Sequence, residues 1–335
     1  MTPLPRTHRY LAFAITTLAL ILTVLSCQKE LVTWPNYLQT HYRVVFDWSE
    51  TTNADPSVMQ FLAFENGDGK LHEFGFTKKT GGEIDLAAGE YKAIAYNNDT
   101  ETLYRRGDTW KAIEIFTRET TLADFSKLFT SRATPRGAGS EDEIVIEEPD
   151  MLWTAGDGEV ARAGDNASEI LTMKMRPSVY TYHFTVSGVS NLEYVTEITA
   201  TISGMSGSMF PSTGKASDTH CTIPIHVTSD GKSSITCTVR SFGHCPELDD
   251  AAGISAGANH HLVIYARLTD SSKWYYDFDV TDELHEPGHT VVTPEGDTEI
   301  LIDLEELPFP RPIADDSGMH PDVEEWNEVN IDINL

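Results

Sequence analysis

Basic residues are scarce in this chain: 24 Lys and Arg stand against 52 Asp and Glu in 335 residues, a formal charge of −28. Phosphate backbones and anionic headgroups repel such a surface, which excludes nucleic acid as a partner and an anionic bilayer as a contact face. Cysteine is scarce too, with four residues, so disulfides do not supply the framework. Sustained helical periodicity is missing throughout. What is present is 40% hydrophobic and 10% aromatic residues, enough at this length for two domains with cores of their own.

The N-terminus has a different character. Arg6 and Arg9, with no acid nearby, precede an apolar run over residues 11–25 that ends in Ser26-Cys27. A charged segment, a short apolar segment and a small residue at the cut are the order of a secretory signal, and the run is too short to span a membrane comfortably. Val24-Leu25-Ser26-Cys27 resembles a bacterial lipobox, which implies diacylation of the Cys27 thiol and cleavage before it. Two or three acyl chains on one residue meet the two-signal requirement for stable anchoring, at about 0.8 kcal/mol per buried methylene. Losing Arg6 and Arg9 takes the mature chain from −28 to −30. Gln28-Lys29-Glu30 partly resembles the surface-export signal of lipoproteins in certain Gram-negative anaerobes, with one acid where that signal usually has two.

Period-2 alternation recurs along the mature chain. Tyr42, Val44, Phe46 and Trp48 alternate with Arg43, Val45 and Asp47, a half-buried strand. Residues 58–64 and 71–76 flank Asn66-Gly67-Asp68-Gly69 and form a hairpin. Residues 89–96 and 112–117 are further strands. Leu122, Phe125, Leu128 and Phe129 give about two helical turns with one apolar side, expected as a lid over an open sandwich end. Residues 130–142 are expected as a long exposed loop, and 156–168 as a domain boundary. Beyond it, strands are expected at 170–175, 180–186, 194–202, 222–227, 234–242, 261–268, 274–280 and 299–304, a number and spacing that suggest a sandwich. Pro308-Phe309-Pro310-Arg311-Pro312 opens a stiff linker. It leads to Trp326 and to Val329, Ile331, Ile333 and Leu335, an apolar strand side expected to close its own domain or complete a neighbour's.

Leu86-Ala87-Ala88-Gly89-Glu90-Tyr91 with Ala95-Tyr96-Asn97-Asn98 resembles the Gly-x-Tyr strand of transthyretin-like sandwiches in fimbrillin and fimbrial-anchor lipoproteins. Read physically, Gly89 makes a tight turn and Tyr91 begins a core-facing strand. Ser203-Gly204-Met205-Ser206-Gly207, Phe242-Gly243-His244, Thr281-Asp282 with His285, and residues 322–332 around Trp326 are similar to a domain-of-unknown-function family of such lipoproteins in Gram-negative anaerobes. The resemblance covers nearly all of the mature chain. It implies an all-β fold of two tandem transthyretin-like (Greek-key) β-sandwich domains: signal peptide 1–26, lipidated tether 27–39, N-terminal sandwich 40–160, C-terminal sandwich 161–306, and linker with C-terminal strand 307–335. It implies a place on the cell surface and no chemistry.

The residues themselves agree on the lack of chemistry. No Gly-x-Ser-x-Gly elbow precedes a helix, and no Cys sits in a nucleophile context. Glu141-Asp142-Glu143 and Glu147-Glu148 read as solvated faces. His285, Glu286, His289 and the His260-His261 pair lack a spacing that presets metal geometry, and Asp282 and His285 read as turn-capping groups, so no metal and no other cofactor is expected. Asn97-Asn98-Asp99 with Glu101 lacks the ligand spacing of a calcium loop. Arg106-Gly107-Asp108 matches an integrin tripeptide but reads as a charged hairpin turn. Cys221 and Cys237 share phase with core residues and are expected as buried thiols; a bridge between them would require a three-residue loop at 227–229 or a bulge, and Cys245 completes an odd set.

The expectation is therefore a non-catalytic lipoprotein of the outer membrane. It would be anchored in lipid through acylated Cys27, exposed on the cell surface, and would act as a fimbrillin-like subunit or anchor among fimbrial subunits, with strand addition at an open edge. The rival is a surface glycan- or peptide-binding lipoprotein without a polymer, for which Tyr104, Trp110 and Trp153 are the candidate contacts.

Overall fold

The computed structural model describes residues 39–87, 89–129, 134–160, 169–245, 259–286, 288–293, 298–312 and 326–330. Strands dominate them; the two α-helices are short, and no described helix is long and apolar enough to cross a membrane.

The first alternating segment is β1 (Gln39–Asp47). Tyr42, Val44 and Phe46 are buried on one face, and His41 and Arg43 are exposed on the other. β1 is flanked by β4 (Gly82–Ala87), antiparallel, and by β10 (Glu169–Lys174), parallel. Facing it lies a five-stranded sheet in the order β11 (Arg176–Pro177), β9 (Trp153–Val160), β5 (Tyr91–Asn97), β2 (Met59–Glu65), β3 (Leu71–Phe76). β2 and β3 form the expected hairpin, with Asn66 and Gly67 at φ of 53° and 89°, the left-handed conformation that an Asn-Gly turn accepts with little strain.

This five-stranded sheet is covered on both sides. Met59, Phe61, Ala63, Tyr91, Ala93 and Ala95 pack toward β1. Leu62, Phe64, Ile94 and Tyr96 pack the opposite way, onto Ile113, Ile115, Met209 and Phe242. Double burial is the reason residues 61–64 read as a continuous apolar run instead of an alternation. The covering layer is a four-stranded sheet, β15 (Lys215–Ala216), β14 (Ser208–Phe210), β7 (Glu114–Thr117), β6 (Leu103–Arg106). Two of its strands come from each half of the chain.

The second sandwich runs in the order β20 (Thr290–Val292), β21 (Thr298–Glu305), β12 (Tyr180–Ser187), β17 (Ile235–Ser241), β16 (His220–Ser229), β13 (Val195–Ser206), β18 (His261–Leu268), β19 (Lys273–Asp279), β22 (Trp326–Asn330), with β8 (Ile144–Val145) added to β16. β16 changes partner along its length: Ile223 and Ile225 pair with β13, whereas Val227 to Ser229 pair with β17. One strand thus turns the sheet over a core that includes Tyr182, Phe184, Ile202, Ile223, Cys237, Leu262, Ile264, Phe278 and Ile302.

Several sequence expectations are corrected here. A cut at 160/161 separates strands that pair with one another, because β10 completes the sheet of β1. The helix at residue 122 is one turn, α1 (Leu122–Phe125), N-capped by the Thr121 hydroxyl, which accepts from the Asp124 amide at 3.2 Å. Leu122, Leu128 and Phe129 cover Val263 and Tyr265 on the outer face of β18, so this segment roofs a sheet face and not an open sandwich end. Residues 134–140 are seated on the second sandwich: the Tyr265 hydroxyl donates to the Pro135 carbonyl at 2.6 Å, and Arg136 donates to Thr222 Oγ1 at 2.6 Å. Glu143 is no solvated acid either, since its carboxylate accepts from the Gly204 amide at 3.1 Å and from the Thr222 hydroxyl at 2.8 Å.

The two halves also touch backbone to backbone. A Cβ at Gly156 in β9 would collide with the Pro211 carbonyl in the β14–β15 turn. Gly156→Ala should therefore cost about 1–3 kcal/mol through overpacking, whereas Gly288→Ala, where a Cβ meets open space, should stay within about 0.5 kcal/mol. Urea unfolding midpoints measure both, and equal midpoints for the two variants would disprove a tight seam.

Candidate functional site

The three aromatic candidates lie apart. Trp110 is half-buried; its indole N–H reaches the Gly156 carbonyl at 3.1 Å and the Ala93 carbonyl at 3.3 Å, while Lys92 Nζ stands 4.4 Å from its ring centre. It fastens the loop after β6 to the middle sheet. Trp153 meets Trp48 edge-on, 6.1 Å between ring centres, beside the first core. Tyr104 on β6 is exposed and lies against Phe116 at 6.0 Å. The structure does not gather them around one pocket.

The C-terminal strand is brought onto its own chain. β22 pairs in parallel with β19, setting Val329 opposite Tyr276. Trp326 meets Tyr265 edge-on at 5.3 Å and lies 5.5 Å from Lys273 Nζ. Ile331, Ile333 and Leu335 fall outside the described residues, as does Cys27. At the other end of the same sheet, β20 is the last strand among the described residues. Its Val291 and Val292, 41% and 67% exposed, lie opposite Glu299 and Thr298 on alternate faces of the sheet, and Leu301 of β21 is 43% exposed. The outer side of β20 pairs with no strand among the described residues, and such an edge is able to take a further strand.

The remaining motifs are absorbed by the fold. Arg106 makes a two-pronged pair with Glu114 at 2.6 and 2.7 Å, so the Arg106-Gly107-Asp108 tripeptide is a tied turn with Gly107 at φ 97°. Asp99 accepts from the Ser57 amide at 2.6 Å and from Asn97 at 3.2 Å. Glu147 pairs with Arg118, and Glu148 with Arg240 at 2.9 Å. Cys221, Cys237 and Cys245 are buried; burial pushes the Cys237 thiol up to about 12 and holds Cys221 well above its ordinary value, which makes both inert at neutral pH.

The structure assembles one cluster that sequence reasoning missed. His285 ends α2 (Thr281–His285), His260 precedes β18, and His244 follows the Phe242-Gly243 turn. Their ring centres form a triangle of 4.9, 5.1 and 5.6 Å. His285 is thus no turn cap. His260 and His285 bring their Nε2 atoms to 3.2 Å. His260 Nδ1 lies 3.3 Å from the Ser203 carbonyl, and His244 Nδ1 lies 3.1 Å from the Tyr182 hydroxyl. His285 Nδ1 is buried without a partner. Burial, helped by the neighbouring imidazoles, lowers His244 to about 4 and His260 to about 3, and burial also lowers His285, so all three are neutral at pH 7. Gly204 makes room for them: it has φ 72°, and a Cβ there would strike the His260 ring. Adjacent His261 differs, because its bond to Asp277 at 2.6 Å outweighs burial and raises it. The His285 and His260 positions are visible in the sequence as histidines near others, whereas His244 stands out there only within the Phe242-Gly243-His244 resemblance, with nothing to join it to them.

A family model described as "Domain of unknown function (DUF5119)" matches residues 26–226. The chain belongs to the DUF5119 family. It is also similar to the Bacteroides ovatus protein named "Putative fimbrium anchoring subunit Fim4B", 24% identical over 317 residues, covering 87% of this chain and 88% of that one. Among solved structures, a "putative adhesin" of Bacteroides ovatus matches with a TM-score of 0.58 at 21% identity, over 82% of this chain and 95% of the other. A second, from Bacteroides thetaiotaomicron and described as "putative polysaccharide binding proteins (DUF1812)", matches with a TM-score of 0.50 at 11% identity, over 80% and 90%. At these identities the solved structures show a shared fold.

Removal of residues 326–335 would strip the ring cover from Tyr265 and leave β19 unpaired on that side. The truncated chain should melt several degrees lower by circular dichroism, at about 2–4 °C per kcal/mol for a domain of 150–250 residues. An unchanged melting curve would mean that β22 contributes nothing to its own chain.

Proposed function

We propose that this DUF5119 chain is a non-catalytic, lipid-anchored protein of the outer-membrane surface that anchors a fimbrial or adhesive assembly. The observation that carries this reading is the similarity to Fim4B along 88% of that protein's length, which spans both sandwiches and not one module. The all-β architecture, the absorption of the acid and Arg-Gly-Asp motifs into structural contacts, and the inert thiols favour a binding role over a catalytic one. Cys27 after Val24-Leu25-Ser26 supplies the lipid attachment. The outward edge of β20, with Val291, Val292 and Leu301, offers a place for an extended segment of a partner subunit to add as a strand.

Two measurements test the reading separately. Metabolic labelling with an alkyne fatty acid should mark the wild-type chain and not Cys27→Ala; label retained by the variant would end the lipoprotein reading. Crosslinking on intact cells should capture fimbrial subunits, and Val291→Lys with Val292→Lys should abolish that capture while leaving the melting temperature of the purified chain within a few degrees. Capture undiminished by the double variant would move the docking edge elsewhere, and recovery of glycans in place of subunits would replace the assembly role with the glycan-binding one.

A further inference from the structure

We propose that His244, His260 and His285 form a binding site for a single borderline transition-metal ion of the Zn2+ type. The proposal is independent of the assembly role. Zn2+ takes imidazole nitrogens at about 2.0–2.1 Å in tetrahedral array, which places two such nitrogens about 3.3 Å apart and the ring centres about 5 Å apart. The Nε2 atoms of His260 and His285 stand 3.2 Å apart, and the three ring centres stand 4.9 to 5.6 Å apart. Among the described residues no group of three or more His, Cys, Asp or Glu stands placed to hold a metal ion, so the site requires a side chain to move. His260 and His285 are the preformed pair, and His244 joins them through Nε2 by a shift of its side chain.

The surroundings are those of ligating histidines. A metal-binding imidazole commonly has its other nitrogen engaged by a carbonyl or another polar group, which fixes tautomer and orientation. The Ser203 carbonyl does this for His260 Nδ1 and the Tyr182 hydroxyl for His244 Nδ1. In the metal-free chain the His260 Nδ1–H donates to Ser203, so His285 Nε2–H must donate to His260 Nε2. That leaves the His285 Nδ1 lone pair buried and unpartnered, a costly arrangement. On metal binding the ion takes the place of the proton between the two Nε2 atoms, and that proton moves to His285 Nδ1, with none released; Nδ1 is without a partner in both states. His244, unlike His260 and His285, also lines a pocket of about 200 Å³ together with Tyr180, Phe242, Thr290 and Ile300, so an ion would enter from its side. Nitrogen ligands with no carboxylate in the set select a Zn2+-like ion over Ca2+ or Mg2+. That matters in a chain whose −28 charge attracts cations of every kind.

Titration of the purified full-length chain with Co2+ and Zn2+ tests the site. Co2+ should give the intense visible bands of a four-coordinate ion at one equivalent, Zn2+ should displace it and raise the melting temperature, and X-ray absorption of the Zn2+ form should show an imidazole shell near 2.0 Å. His260→Gln and His285→Gln should each weaken Zn2+ binding about 100-fold, while His289→Gln, which alters the nearby exposed histidine outside the triangle, should leave it unchanged. The absorption spectra of the wild-type chain stand as a test even if the Gln variants fail to fold. The proposal is overturned if Co2+ shows only the weak bands of six-coordinate oxygen ligation, if binding survives both cluster variants, or if His289→Gln abolishes it.

Discussion

Everything in the first half depends on pairing both sides of β1. Its residues Tyr42, Val44 and Phe46 are buried, and a strand buried on one face cannot leave its backbone groups unpaired along both edges without a large cost. β4 supplies one edge from the same half. The other is supplied by β10, in parallel, from beyond residue 160. The first sandwich therefore cannot close until the chain has passed Lys174. Its outer layer waits longer still, because β14 and β15 come from residues 208–216. Non-local pairings of this kind carry a loop-closure cost before they return any stability, and they merge the two halves into one interleaved body. The seam is reinforced by Glu143, Glu148 and Ser208, each bonded to a group in the opposite half.

Charge is handled in two ways. A chain this acidic destabilises itself by repulsion, and many of its acids are placed on donors: Glu114 on Arg106, Asp150 on the amides of Glu101 and Thr102, Asp230 on the amides of a tight turn. The Arg106 bond holds the Glu114 carboxyl below its ordinary range, and for Asp150 the amide bonds outweigh a burial effect that works the other way. The histidines show the opposite treatment. Three imidazoles are gathered inside, held neutral by burial, with one nitrogen left without a partner. His285 Nδ1 is one of several buried polar atoms without a partner among the described residues, and it lies beside two other imidazoles.

β20 and β22 are the two ends of one sheet, and they differ in the side chains they carry. β22 brings Trp326 over Tyr265 and Lys273 and so serves its own chain. β20 leaves Val291 and Val292 in solvent.

How much was readable from the residues follows from the range of the interactions involved. Period-2 alternation fixed β1, β12 and β17; Asn66-Gly67 fixed the first hairpin; and the Gly89 turn fixed Tyr91 in the core. These rest on side-chain parity and turn chemistry within a few residues. Cys221 and Cys237 were assigned to the core by the same parity. The tertiary structure alone decided that β10 crosses back, that residues 61–64 are covered on both faces, that Glu143 is a half-buried acceptor, that Leu122 and Phe129 roof β18, and that His244 meets His260 and His285. Each of these depends on which distant segment arrives as a neighbour, and local periodicity carries no information about that, because a strand presents the same alternating face whichever partner covers it.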